Sequence, residues 1–155
     1  MKNIPPEFID SLVKWFAYHQ SNALRTGKKL NGREIELAKE IGCQYPDKIR
    51  VIYVDEMPKV KSPILIEVMD QDGFSFGDAL GLCLGYGIFL KKDGKGDSRI
   101  LAHEITHTLQ FERFEGVREF LTAYIQEFLI YGYSAMPLEK EARSNEKLGT
   151  RILGK

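Results

Sequence analysis

Asp97-Ser98-Arg99-Ile100-Leu101-Ala102-His103-Glu104-Ile105-Thr106-His107-Thr108-Leu109-Gln110-Phe111-Glu112-Arg113-Phe114 reads as one helix that carries two histidines. Asp97 or Ser98 supplies the oxygen that an N-cap needs, and Gly116 follows the far end. Leu101, Ile105 and Leu109 recur at i, i+4 and i+8, the spacing of a core-facing stripe. His103 and His107 are offset from that stripe by two residues, roughly 200° round the helix. They therefore leave the core side, and a pair of ordinary core histidines fits this placement poorly. Being four apart, they are separated by about 40° and one turn, so both imidazoles can reach one metal ion. Glu104 lies about 100° round, beside such an ion and able to act on its water.

The flanking sequence arranges itself around this helix. Upstream, Pro5-Pro6 opens a helix that runs to about residue 25, with Phe8, Ile9, Leu12, Val13 and Phe16 on one face. Asn31 and Glu34 have the spacing of a capping box, which starts a short helix ended by Gly42. The period then changes. Ile49-Arg50-Val51-Ile52-Tyr53-Val54, Ile64-Leu65-Ile66-Glu67-Val68-Met69 and Tyr86-Gly87-Ile88-Phe89-Leu90 are rich in β-branched and aromatic residues and are predicted to be strands. The second of these is expected to end at Asp72-Gly73. Downstream, Val117, Phe120, Leu121, Tyr124, Ile125 and Phe128 mark a second helix, and Pro137 opens a third that reaches residue 148 or 152. Helices, strands and then helices predict a single α+β domain spanning residues 1–155.

Composition narrows the function classes. Lysine plus arginine equals aspartate plus glutamate at 22 each, so the basic excess of a nucleic-acid-binding or anionic-membrane-binding protein is missing. The opening Met1-Lys2-Asn3-Ile4-Pro5-Pro6-Glu7 has no apolar signal segment. The most apolar run, residues 79–90, is too short to span a bilayer and contains three glycines. A soluble cytoplasmic protein is the expectation. Cys43 and Cys83 are the only cysteines, and without a C-x-x-C pair they are expected to be free thiols.

Two histidines leave a catalytic zinc ion short of a ligand, since three protein ligands plus water are usual. The remaining histidine, His19, lies in the first helix and is expected to be a surface or packing residue. No histidine follows His107, so the third ligand should be a carboxylate. Glu139 and Glu141, in Pro137-Leu138-Glu139-Lys140-Glu141-Ala142-Arg143, are the candidates, although glutamates also suit a first helical turn for its dipole alone.

His103-Glu104-Ile105-Thr106-His107 followed by Glu139-Lys140-Glu141-Ala142 resembles the gluzincin, or thermolysin-like, branch of zinc peptidases. The resemblance spans roughly residues 86–145. It implies a minimal zincin fold, a small mixed β-sheet packed on the active-site helix, and Zn2+ held by His103, His107 and Glu139, with Glu141 next in line. It also implies that Tyr86-Gly87-Ile88-Phe89-Leu90 corresponds to the edge strand that holds substrate backbone. Glu104 would be the general base, acting on water whose pKa the zinc lowers. Tyr131 and Tyr133 become candidates for stabilising the tetrahedral oxyanion, since relatives place a tyrosine or histidine there. One position departs. Many relatives have an acidic residue four after the glutamate ligand, and here it is Arg143. The expected function is zinc-dependent hydrolysis of peptide bonds in a peptide or protein substrate. Specificity is assigned to loops around residues 73–85 and 91–97. The alternatives are an inactive zincin-fold binding or scaffold module, which Arg143 favours, and a structural protein without metal.

Overall fold

A computed structural model describes residues 4–72, 79–94 and 96–154 of the chain. The element order is α1 (Pro6–Thr26), β1 (Lys28–Lys29), α2 (Gly32–Ile41), β2 (Arg50–Val54), α3 (Pro63–Asp72), β3 (Gly81–Leu84), β4 (Gly87–Lys91), α4 (Ser98–Glu112), α5 (Val117–Tyr131), α6 (Pro137–Ser144) and α7 (Glu146–Leu153). The α+β class and the mixed sheet match the expectation. The sheet runs β1-β2-β4-β3, with β2 parallel to β4 and the other two pairings antiparallel. Among the described residues no helix is long and apolar enough to cross a membrane.

Both faces of the sheet are covered, and residue alternation shows how. Ile52, Val54 and Phe89 face a layer built from α1, α3 and α5, where Leu12, Phe16, Leu65 and Phe120 are buried. Val51, Tyr53, Ile88 and Leu90 face the opposite layer, built from α2, α4 and α7, with Leu37, Leu101 and Ile105. Period-2 alternation thus serves two cores at once, which is why these strands are continuously apolar. Helix ends follow their sequence signals. Asn31 accepts from the Glu34 N–H at 2.9 Å while Glu34 accepts from the Asn31 N–H at 2.8 Å. Asp97 caps α4 by accepting from the Arg99 N–H.

Four features differ from the reading of the sequence. The segment from Ile64 to Met69, expected as a strand, is helix α3. A short unbroken apolar run does not distinguish a buried strand from a buried helix. Here Pro63 sits in the first turn, the Ile66 N–H bonds the Ser62 carbonyl, and Leu65 is pressed against α1. Its expected stop at Gly73 lies outside the described residues. Second, residues 81–84, expected within a loop, form β3, joined to β4 through Gly85-Tyr86. Gly85 has φ +70, a conformation that favours glycine at the first central position of a tight hairpin. Third, β4 is consequently an interior strand, and the open edge belongs to β3 rather than to the segment beginning at Tyr86. Fourth, the single C-terminal helix is broken at Asn145 into α6 and α7. The Asn145 amide donates to the Thr106 hydroxyl on α4, a tertiary contact that local helical pattern does not register.

Candidate metal centre

Helix α4 presents His103, Glu104 and His107 to one side while Leu101 and Ile105 are buried in the opposite layer. Helix α6 arrives across them with Glu139 in its first turn, 2 % exposed. α6 has no side-chain cap of its own, and Glu127 of α5 accepts from the Leu138 N–H at 2.9 Å, which fixes that helix start. Each imidazole Nε2 is 3.0 Å from a different Glu139 oxygen. One ligating atom from each of His103, His107 and Glu139 lies within 4.8 Å of the others. Ligands about 2.0–2.1 Å from a tetrahedral zinc are about 3.3 Å apart, so this donor set and spacing fit that ion. The histidines expected from the motif and Glu139 are brought together. Glu141 is not.

Both Nδ1 atoms are engaged by acceptors. His103 Nδ1 is 2.9 Å from a Glu146 oxygen, and His107 Nδ1 is 2.8 Å from Gln110 Oε1. The amide orientation of Gln110 is decided by its surroundings. Its Nε2 donates at 2.8 Å both to the Leu138 carbonyl and to Glu141 Oε1, so only Oε1 remains for His107. His107 Nδ1 therefore carries the proton, and its Nε2 is directed at the centre of the cluster. Glu141 in turn accepts two hydrogen bonds from the Arg113 guanidinium, at 2.8 and 2.7 Å. That ion pair holds the Glu141 carboxyl below its usual range. Arg143 donates to the Ser134 carbonyl at 2.6 Å, away from the histidines. The acid against His103 Nδ1 is Glu146, from the next helix.

The electrostatics follow from this crowding. Burial alone would lower His103, but its hydrogen bond to Glu139, the Glu104 charge and the Glu146 bond outweigh it and push it up to about 9. His107 is raised as well, with Glu139 overcoming burial. For Glu139 burial works upward, but the two histidines and the Tyr124 hydroxyl hold the carboxyl far below the carboxylate range. Burial raises Glu104, against the lowering effect of the two histidines. Its carboxylate lies against β3, where a Cβ on Gly81 would come within 2.8 Å of Glu104 Oε2. A side chain there would displace the carboxylate.

The remaining candidates separate. Tyr133 lines the same cavity as the cluster, and its hydroxyl is pushed up by burial and by Glu139. Tyr131 ends α5 half exposed and is not among the cavity's lining residues. Tyr124, which the sequence placed only on an apolar helix face, donates to Glu139 Oε2 at 2.6 Å. His19 packs among the Trp15, Tyr18 and Phe89 rings and is not one of the converging donors. Cys43 and Cys83 are free thiols. Of the residues missed from sequence, Gln110 alone left a signal, standing three after His107 on the same helix face. No family model, curated protein or solved structure matches the chain.

Proposed function

We propose that this protein is a zinc-dependent peptidase of gluzincin type, with His103, His107 and Glu139 as ligands and Glu104 as general base. The observation that carries the reading is the position of Glu104. It is 6 % exposed, lines the cavity that the cluster faces, and is not one of the three converging donors. A metal site serving only to hold the fold together has no use for a buried carboxylate there. Zinc in this site supplies polarisation of the substrate carbonyl and a lowered pKa for water. Glu104 accepts the proton of the attacking water and returns it to the leaving amine, and burial has moved its pKa toward that task. Tyr133, at the cavity, is the better placed of the two tyrosines to donate to the oxyanion. The scaffold alternative, which Arg143 and the small size of the chain favour, loses the first of these supports, since Glu146 and Gln110 stand against the two histidine Nδ1 atoms.

Metal analysis and one substitution test the reading together. The purified protein should carry about one zinc per chain, and His103→Ala or His107→Ala should lose it. Glu104→Gln should fold, keep its zinc and cleave casein or a peptide library at least about 10²-fold more slowly than the parent. Full zinc retention by both histidine variants would remove the metal assignment. Equal cleavage by parent and Glu104→Gln would remove the base.

A further inference from the structure

Helix α6 delivers Glu139, yet little in α6 itself fixes that residue. The helix has eight residues and no side-chain cap, and a helix that short is not stable alone. Two side chains of α5, one turn apart, supply what is missing. Glu127 accepts from the N–H of Leu138, the residue before the ligand, at 2.9 Å. Tyr124 donates to Glu139 Oε2 at 2.6 Å, the short distance of a hydroxyl bonded to an ionised carboxylate. The Tyr124 ring also meets His107, with centroids 6.2 Å apart and planes at 75°, and leans on Phe120 at 6.2 Å and 45°. One side chain thus touches ligands carried by two different helices.

We infer that α5 is the brace of the third ligand: Tyr124 is a positioning residue that holds one Glu139 oxygen so that the other is offered to the metal, and Glu127 fixes the turn of α6 from which Glu139 projects. The inference rests on the metal half of the reading above and not on cleavage. A carboxylate that is 2 % exposed only accepts, and it has to find its donors within the protein. In the metal-free fold His103 faces Oε1 and His107 faces Oε2, each at 3.0 Å. Loading with zinc requires both Nε2 atoms without their protons, so these two donors are lost to Glu139. The Tyr124 hydroxyl stays on Oε2, and Oε1 is left for the ion. Without that hydroxyl both oxygens are free to turn to the ion together, which raises its coordination number. Tyr133 also approaches Glu139, but it is 52 % exposed, and water takes the place of its hydroxyl when that is removed.

Two measurements on the purified full chain read this directly: zinc affinity by competition with a chromophoric chelator, and the visible bands of cobalt(II) bound in place of zinc, which report coordination number. The parent should give the intense bands of a four-coordinate site. Tyr124→Phe keeps the ring against His107 and removes only the hydroxyl. It should bind zinc about 10- to 100-fold more weakly, and its cobalt bands should weaken as the second oxygen joins the ion. Tyr133→Phe should lose less. Glu127→Ala frees the start of α6 and should lower zinc affinity about tenfold, while Glu127→Gln keeps an acceptor for the Leu138 N–H and should restore it. Parental affinity or parental cobalt bands in a folded Tyr124→Phe protein overturn the inference. They do so even if turnover falls, because Tyr124 would then act on substrate and not through Glu139. A loss in Tyr133→Phe as large as that in Tyr124→Phe also overturns it. So does parental affinity in Glu127→Ala, which decides the matter should Tyr124→Phe fail to fold. A parent that takes up neither zinc nor cobalt overturns the metal reading and the inference with it. A parent that binds both, and loses them in His103→Ala, keeps the metal reading whichever way the α5 variants fall.

Discussion

Replacing Gln110 by leucine should separate the orientation of a histidine from its presence. Gln110 is fully buried and its amide serves three partners: it accepts from His107 Nδ1–H and donates to the Leu138 carbonyl and to Glu141. Leucine has nearly the same volume but none of these hydrogen bonds. Glu141 keeps the Arg113 guanidinium and is partly exposed, so it loses little. The His107 N–H loses its partner, while the Leu138 carbonyl, inside α6, keeps its helical one. One orphaned buried donor gives a destabilisation of about 1–3 kcal/mol. Zinc affinity should fall about 10- to 100-fold, the usual result of removing the group that orients a ligating histidine. Competition against a chromophoric chelator measures the second quantity, and urea unfolding of the metal-free protein the first. Gln110→Glu restores an acceptor for His107 while sacrificing both donors. It should keep most of the zinc affinity despite a loss of stability, an outcome that general damage to the fold would not produce. A folded Gln110→Leu protein with parental zinc affinity would refute the argument that His107 is oriented through this amide.

Three further outcomes follow from the same geometry. Glu139→Ala should abolish zinc retention, whereas Glu141→Ala should weaken it no more than about tenfold, since Glu141 acts through Gln110; the reverse order in metal analysis would move the third ligand to Glu141. In the metal-free protein His103 is raised from 6.5 to about 9, so its contribution to stability is complete below about pH 6.5 and is lost as the pH rises toward 9. Zinc requires the neutral imidazole, so the zinc-bound protein holds no His103 proton to lose and its stability should not fall over that interval; thermal unfolding should decline with pH in chelator and stay level with zinc, and parallel declines would contradict the exchange of proton for metal. Gly81→Ala places a methyl group against Glu104 and should lower turnover by about 10- to 100-fold at unchanged zinc content, as expected when a catalytic group is displaced by a fraction of an ångström to an ångström; parental activity would show that Glu104 has room to move.

Where cause is local, the sequence could be read directly. The α4 helix, its Asp97 cap, the Asn31–Glu34 capping box and the paired histidines all depend on residues within a turn or two of one another. α3 escaped because Ile64-Leu65-Ile66 has neither a period of two nor a clear helical stripe, and its orientation is settled by packing on α1. β3 escaped because its partner lies across a two-residue turn, so one uninterrupted apolar stretch conceals two strands. Tyr124 reads as one more apolar position of an amphipathic helix until its hydroxyl is seen on Glu139.

The break at Asn145 connects these lessons to the site. Arg143, judged against the gluzincin pattern, looks like a missing support for a histidine. In the fold it clamps the Ser134 carbonyl ahead of α6, and so helps hold the helix that delivers Glu139. Asn145 ends that helix and is anchored to Thr106, one residue before His107. The chain then restarts as α7, with Glu146 as its first residue, directly on His103 Nδ1. An unbroken helix would carry residue 146 onward along the α6 axis, while the break starts a new helix against α4. The carboxylate on His103 Nδ1 therefore comes not from α6, which carries Glu139, but from the helix after it. A pattern defined by fixed spacing from Glu139 cannot register such a placement, because a helix interruption changes the geometry while every residue number stays the same.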